Sequence, residues 1–532
     1  MLISKDLFGL VDWFSGHWFI GLSGVLDGIV KDFSANFVSI MKGKDNSKSC
    51  AVVGAGISGI AAAIRMRNKG YEVTVFEANS FPGGKLSSES KDGYRFDMGP
   101  SVFTMPHFVD ELFILSGKDP RRYFNYKQLD PVYRYFFEDG TVLDSRHGKK
   151  AYASGMAQQV KDSESEILRY LDHTEKVYHL TAEVFLHNSL HKFRNLFTKQ
   201  VLKGLLNFGK IGAFQTMNEA NEKAFRDKKM VQIFNRYSTY NGSSPYLAPA
   251  TLNVIPHLEI MEGAYYPQGG MVAITDSLVQ LGKDLGIDFR FSTPVREIVS
   301  EHKKIKGIKT DKGTEVFDVV ISNMDVYNSY LKLLPDAARP EKTLRQPKSS
   351  SAVIFYWGIS REFKELGLHN ILFSENYPKE FAHIFETKDI SADPTIYINI
   401  TSKYSKEDAP PGCENWFTMI NVPNNSGQDW DQLVAEARKN MIAKINRVLK
   451  TDIEKYIATE MTLDPRLVES RTSSAFGAIY GNASNNKFAA FLRHANFSKE
   501  IEGLYFCGGS VHPGPSIPLC LLSAKITTGL IK

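Results

Sequence analysis

Cys50-Ala51-Val52-Val53-Gly54-Ala55-Gly56-Ile57-Ser58-Gly59 opens with an apolar run and ends in a Gly-x-Gly-x-x-Gly turn. An Ala- and Ile-rich stretch over 60–69 follows and reads as a helix. Gly70 ends it, and the alternating run YEVTVF over 71–76 reads as a strand that finishes at Glu77. This is a βαβ unit. Gly54 permits the tight strand-to-helix turn, Gly56 lets backbone approach a pyrophosphate, and Gly59 lets helix and strand pack closely. Phosphates then sit at the positive end of a helix. Glu77, placed 18 residues after Gly59, brings a carboxylate to where a ribose hydroxyl would lie. Ser58 sits inside the same turn. The unit predicts a dinucleotide-binding α/β domain, and the turn alone does not separate NAD from FAD.

The rest of the chain is large enough for more than one core. It has 532 residues, with 43% hydrophobic and 23% charged, which fits an ordinary folded protein and excludes the disordered classes. The net charge is +5, from 64 basic and 59 acidic residues. That small, dispersed excess argues against nucleic acid as the partner and tolerates an anionic membrane surface. Cys50, Cys413, Cys507 and Cys520 show neither CxxC nor metal-ligand spacing, so no metal is expected. They read as buried thiols of a reducing, cytoplasmic compartment. Residues 7–41 are rich in Leu, Phe, Trp, Ile and Val but are broken by charges, so neither a spanning helix nor a secretory signal fits. Two readings stand open: an interfacial segment anchored by Trp13, Trp18 and Phe19, or an extension without function.

Further along, 125–250 reads as mostly helical, clearest over 162–185. Residues 287–325 return to strand-like runs, and 351–358, 395–400 and 416–421 read as strands. Residues 428–449 form a long helix at period 3.6. The last segment, 503–532, reads as strand, glycine-rich turn and helix, with the helix over 519–531.

Three further motifs carry chemistry. Glu77-Ala78-Asn79-Ser80-Phe81-Pro82-Gly83-Gly84-Lys85 resembles the E-x5-G-G-[RK] signature of FAD enzymes related to amine oxidases. Tyr94-Arg95-Phe96-Asp97-Met98-Gly99-Pro100-Ser101 resembles the turn that such enzymes place near the flavin ring. Gly503-Leu504-Tyr505-Phe506-Cys507-Gly508-Gly509-Ser510-Val511-His512-Pro513-Gly514-Pro515-Ser516-Ile517-Pro518 resembles the C-terminal signature of phytoene-desaturase-type enzymes. The resemblance to this bacterial carotenoid desaturase family covers 50–532. Within it, FTMPH over 103–107, YNGSSPY over 240–246 and CENWF over 413–417 look most like the hydroxycarotenoid 3,4-desaturases of Bacteroidetes.

The resemblance implies a Rossmann-type FAD-binding domain of the glutathione-reductase-like flavoprotein kind, with an inserted mixed α+β substrate domain. The segments would be 1–47 (extension), 48–125, 266–345 and 456–532 (FAD), and 126–265 and 346–455 (substrate). It implies FAD held by Gly54, Gly56, Ser58, Gly59, Glu77, Gly83, Gly84, Lys85, Gly99, Pro100, Ser101, Val295, Gly508, Gly509, Ser510 and Ile517. Val295 would meet the adenine through its backbone, and Lys85 would face a phosphate where the family usually has Arg. Ser516 stands where the family usually has Gly, in the loop that the resemblance puts nearest the flavin. His107 and His512 are candidate catalytic groups, each also readable as structural.

The implied reaction is desaturation of a 1-hydroxylated acyclic carotenoid end at carbons 3 and 4. Hydride would leave the allylic carbon for flavin N5, and the neighbouring carbon would then lose a proton. The substrate would come from the lipid bilayer, with the enzyme on the membrane surface. Tyr237, Tyr240, Tyr246, Phe355 and Tyr356 are candidate tunnel walls, or ordinary core. Phytoene or diapophytoene desaturation, a flavin amine-oxidase activity, an NAD-dependent dehydrogenase and a non-catalytic prenyl-binding escort are the competing readings.

Overall fold

Five parallel strands form the sheet that carries the nucleotide motif. The computed structural model describes residues 47–186, 212, 214–486 and 493–532. The expectations for residues 1–46 lie outside the described residues. Lys48–Lys532 make up one compact unit.

The sheet order is Asp288–Arg290, Glu72–Phe76, Ser49–Val53, Val319–Ser322 and Leu504–Phe506. Every neighbouring pair is parallel. Its central strands Ser49–Val53 and Val319–Ser322 are near-continuous apolar runs, buried almost throughout, as parallel strands covered on both faces are. The helix Ile57–Asn68 packs against the C-terminal helix Ile517–Leu530, and Ile60, Ile64, Leu521 and Leu522 are buried in one core. The βαβ unit is therefore as the sequence predicts, except that both helices begin earlier, at Ile57 and Ile517. Val295–Glu301, Lys304–Thr310 and Gly313–Val316 form a separate antiparallel sheet beside it.

The second large sheet has seven strands in the order Ile457–Leu463, Ser351–Ile359, Glu414–Val422, Ile396–Ile400, His369–Leu372, Tyr133–Phe136 and Val142–Ser145. All pairs are antiparallel except His369–Leu372 with Tyr133–Phe136. Ser351–Ile359 is buried along its whole length, which explains its unbroken apolar run SAVIFYWGI. Two sequence expectations change here. The span 125–250 is not mostly helical at its start: Tyr126–Gln128, Tyr133–Phe136 and Val142–Ser145 are strands. The substrate-side sheet also runs past residue 455, since Ile457–Leu463 pairs with Ser351–Ile359. The long helices fall at Glu164–Leu186 and Trp430–Leu449.

Candidate cofactor and substrate site

A cavity of about 800 Å3 joins the two sheets. Gly54, Gly56, Ser58, Glu77, Gly83, Gly84, Lys85, Gly99, Pro100, Ser101, Val295, Gly508, Gly509, Ser510 and Ile517 all line it. Gly59 stands behind the wall, where it permits the close turn: a Cβ there would lie 2.1 Å from the Gly54 carbonyl oxygen. Gly54 itself has φ +96°, which glycine adopts without penalty.

The nucleotide end is built by Glu77. Its Oε2 accepts from the Ala55 amide at 2.7 Å and its Oε1 from the Asn79 amide at 2.9 Å. The carboxylate thus ties the strand end to the glycine turn while staying on the cavity wall. Thr293 N donates to the Glu77 carbonyl at 2.8 Å, which sets Val295 beside it.

Asn323, directly after the strand Val319–Ser322, organises the glycines. Its Nδ2 donates to the Cys507 carbonyl at 3.1 Å. A Cβ on Gly56 would come within 2.6 Å of its Oδ1, and one on Gly508 within 2.7 Å of its Nδ2.

Two helix N-termini open on this end of the cavity, those of Ile57–Asn68 and Ile517–Leu530. Their partial positive charge suits a pyrophosphate and the anionic reduced flavin. Lys85 adds a cation: its Nζ donates to the Ile479 carbonyl at 2.9 Å, and burial pushes its pKa down, opposed by Asp325. Burial raises the Asp325 pKa, opposed by Lys348 and Lys85.

Ser516 caps the C-terminal helix, its Oγ accepting from Leu519 N at 3.4 Å, but its φ is +108°. The position that the family fills with glycine therefore has a glycine backbone here, and this chain places a serine on it.

Gly99 lies against Lys85, and a Cβ on it would meet the Lys85 carbonyl oxygen at 1.9 Å. The turn is fixed from the other side by buried Asp97, whose Oδ2 accepts from Met271 N at 2.9 Å and whose Oδ1 accepts from Arg95 at 2.8 Å. Ser101 bonds Tyr397 at 2.8 Å, and Tyr356 donates to the Met98 carbonyl at 2.9 Å. Glycines without room for a Cβ, two helix N-termini and a lysine match an FAD cradle.

The two histidine candidates are not in it. His107 starts the helix His107–Leu115 at the surface, with its ring against Phe108. His512 is buried, and its backbone joins the loop to His494, Asn496 and Ser523; neither lines the cavity. Of the aromatic candidates, Tyr240 lines the cavity. Tyr237, Phe355 and Tyr356 are fully buried in the cores, and Tyr246 packs against Phe381. Cys50 and Cys507 are buried, and burial pushes Cys507 up to about 12. Cys413 and Cys520 are only partly buried, which corrects the expectation of four buried thiols.

Beyond Ser101 the cavity runs between apolar walls that include Ile354, Ile371, Phe417, Met419 and Leu463. Tyr133, Arg236 and Tyr240 also line it. Tyr240 is a candidate in the sequence, whereas nothing in the spacing marks Tyr133 and Arg236, which come from one strand and one short helical turn far apart in sequence.

The model of the flavin containing amine oxidoreductases matches residues 57–531. The chain belongs to that family. It is an FAD-dependent oxidoreductase. It is 51% identical over 484 residues to a 1-hydroxycarotenoid 3,4-desaturase of Flavobacterium sp. (strain P99-3), covering 91% of this chain and 99% of that one. It is 31% identical to a 4,4'-diapolycopene oxygenase of Methylomonas sp, covering 91% and 98%. Among solved structures, an oxidoreductase from Methanosarcina mazei aligns with TM-score 0.58 at 14% identity, covering 90% of this chain and 99% of the other. A CLA-producing fatty acid isomerase from P. acnes aligns with TM-score 0.59 at 14% identity, covering 91% and 99%. These two show a shared fold.

Proposed function

We propose that this protein is a carotenoid desaturase that introduces the 3,4 double bond into the 1-hydroxylated acyclic end of its substrate. The observation that carries the reading is the 51% identity to a 1-hydroxycarotenoid 3,4-desaturase, sustained over nearly the whole of both chains. The apolar continuation of the cofactor cavity supports it, because a polyene needs a long dry slot.

Bound FAD supplies a two-electron acceptor at N5. The chain's own residues do the remaining work. The glycine turns and Glu77 orient the dinucleotide, and the two helix N-termini with Lys85 offset its charge. Ile354, Phe417 and Met419 exclude water and hold the polyene in line. In this reading 48–125, 266–345 and the segment after Leu463 carry the flavin, and 126–265 and 346–463 shape the slot.

The same reading places the enzyme at a membrane surface on the cytoplasmic side, collecting carotenoid from the bilayer. No helix among the described residues is long and apolar enough to cross a membrane. Phe214 and Leu247 are exposed at 67% and 49%, on neighbouring segments bridged at Thr216 and Pro249, which suits peripheral contact.

The test is to present FAD-loaded protein with phytoene or with a 1-hydroxylated acyclic carotenoid in liposomes and follow the absorption spectrum. A red shift with the hydroxylated substrate alone is expected. Efficient conversion of phytoene would move the protein to the phytoene desaturases.

A further inference from the structure

A buried ion pair stands at the cavity wall where an apolar slot has no need of one. Arg236 Nη2 and Glu259 Oε1 are 2.7 Å apart, with side chains 4% and 1% exposed. Desolvating two charges offsets most of their attraction, so the pair is poor as a stabilising device. What it does is fix tyrosine hydroxyls. Glu259 Oε1 also accepts from Tyr237 at 2.7 Å, and Glu259 Oε2 accepts from Tyr240.

The donor count then decides the direction of the next bond. A carboxylate only accepts, so Tyr240 spends its single proton on Glu259. Arg236 Nη1 donates to Tyr240 at 3.1 Å. The Tyr240–Tyr133 contact, at 2.8 Å, can therefore be made only with Tyr133 as donor. Tyr133 is left with its proton committed, and among the described residues no donor occupies its oxygen lone pairs. Its ring is also held, with the Arg236 guanidinium 4.2 Å from the ring centroid. The result is a hydroxyl on the cavity wall that can accept a hydrogen bond and cannot offer one.

A second chain of bonds places this acceptor near the flavin-facing turn. Asn399 Nδ2 donates to the Leu368 carbonyl at 3.1 Å and to His369 Nδ1 at 3.0 Å, so Nδ1 is an acceptor. Tyr397 donates to the same nitrogen at 2.7 Å, and Ser101 in turn donates to Tyr397. The Tyr133 ring centroid lies 5.2 Å from His369 and 6.4 Å from Tyr397. Tyr133 is thus one ring away from the residue that bonds Ser101.

We propose that Tyr133 is the specificity residue that reads the substrate's 1-hydroxyl by accepting its proton in a hydrogen bond, with Arg236, Glu259 and Tyr240 holding it in the accepting state. This rests on the 1-hydroxycarotenoid reading above. The chemistry fits in two ways. A tertiary alcohol has one proton to donate, and an end lacking the alcohol has none. The hydroxyl-bearing carbon is also close along the chain to the 3,4 bond, so its anchor must stand beside the flavin-facing turn and not at the far end of the slot.

The test compares three substrates in liposomes: the 1-hydroxylated carotenoid, the same carotenoid without the hydroxyl, and its 1-O-methyl ether. Wild-type protein should prefer the alcohol to both others by roughly 10- to 100-fold in kcat/KM, the effect of one buried hydrogen bond lost with its partner left unpaired. Tyr133→Phe should lower kcat/KM for the alcohol and abolish the preference for the alcohol over the deoxy compound, at equal FAD content. Equal loss for both substrates, or no loss for the alcohol, would overturn the proposal. The ether arm needs no variant: wild-type protein that converts ether and alcohol alike also overturns it. If wild-type protein converts no 1-hydroxylated substrate, the functional reading falls first and this inference with it. If wild-type protein prefers the alcohol and Tyr133→Phe does too, only this inference falls.

Discussion

Replacing Ser516 with glycine should make the protein more stable. The residue has φ +108° and ψ 159°, a region populated almost only by glycine and worth about 1–3 kcal/mol of strain for any other residue. Against this gain stand two losses. The helix cap from Ser516 Oγ to Leu519 N is long, at 3.4 Å, and exchanging a capping serine for glycine costs only a few tenths of a kcal/mol. Glycine also frees the unfolded chain, at about 0.4–1 kcal/mol. With the strain near the middle of its range, the net is about 1 kcal/mol of stabilisation. Ser516→Ala separates the terms, because alanine keeps the strain and loses the cap, so it should be destabilised by about 1 kcal/mol. The assay is urea unfolding of the FAD-loaded protein at matched, saturating FAD, since bound ligand shifts apparent stability. The expected order is glycine, then serine, then alanine. An alanine variant as stable as the glycine variant would refute the reasoning, because it would show that the backbone at this position is unstrained.

Gly99→Ala should cost most of the bound flavin, since its Cβ would meet the Lys85 carbonyl oxygen at 1.9 Å; the flavin-to-protein absorbance ratio reads this, and full occupancy would contradict it. Glu259→Gln should destabilise the fold by roughly 3–5 kcal/mol, because Arg236 is left buried without its counter-charge; a change below about 1 kcal/mol in denaturant unfolding would count against the pair. Burial pushes His369 down to about 3, below its unfolded value near 6.5. The unfolded chain therefore takes up the proton first, and stability falls as pH drops from about 6.5 toward 3, by roughly 1.4 kcal/mol per unit from this group. His369→Gln should flatten that slope between about pH 6.5 and 5, and identical slopes would exclude the assignment.

The nucleotide half of the molecule was legible because its signals are local. A glycine turn between two apolar runs, with Glu77 at the end of the second, already specifies strand, helix, strand and the end at which phosphates bind. The strand-like runs over 287–325 were legible for the same reason. The seven-stranded sheet was only partly so. Tyr133–Phe136 pairs in parallel with His369–Leu372, more than two hundred residues away, and its short tyrosine-rich run has no strong period of its own. Ser516 shows the limit well. The sequence marks it as a departure from the family's glycine, but the positive φ that gives the departure an energetic meaning appears only in three dimensions. The Arg236–Glu259 cluster has no motif at all, because its parts meet only when the short helical turns over 236–262 pack on the strand Tyr133–Phe136. His107 and His512 mislead in the opposite sense: they stand beside recognisable motifs, and their side chains lie off the cavity wall.

The central claim is two-hydrogen removal across carbons 3 and 4 of a 1-hydroxylated end. It is tested most directly by supplying FAD-loaded protein with that substrate fully deuterated at carbons 3 and 4 and weighing the product. The account predicts a product with one deuterium lost from each of the two carbons and no oxygen gained. A product that keeps all its deuterium, or that gains oxygen at a terminal carbon, would contradict it.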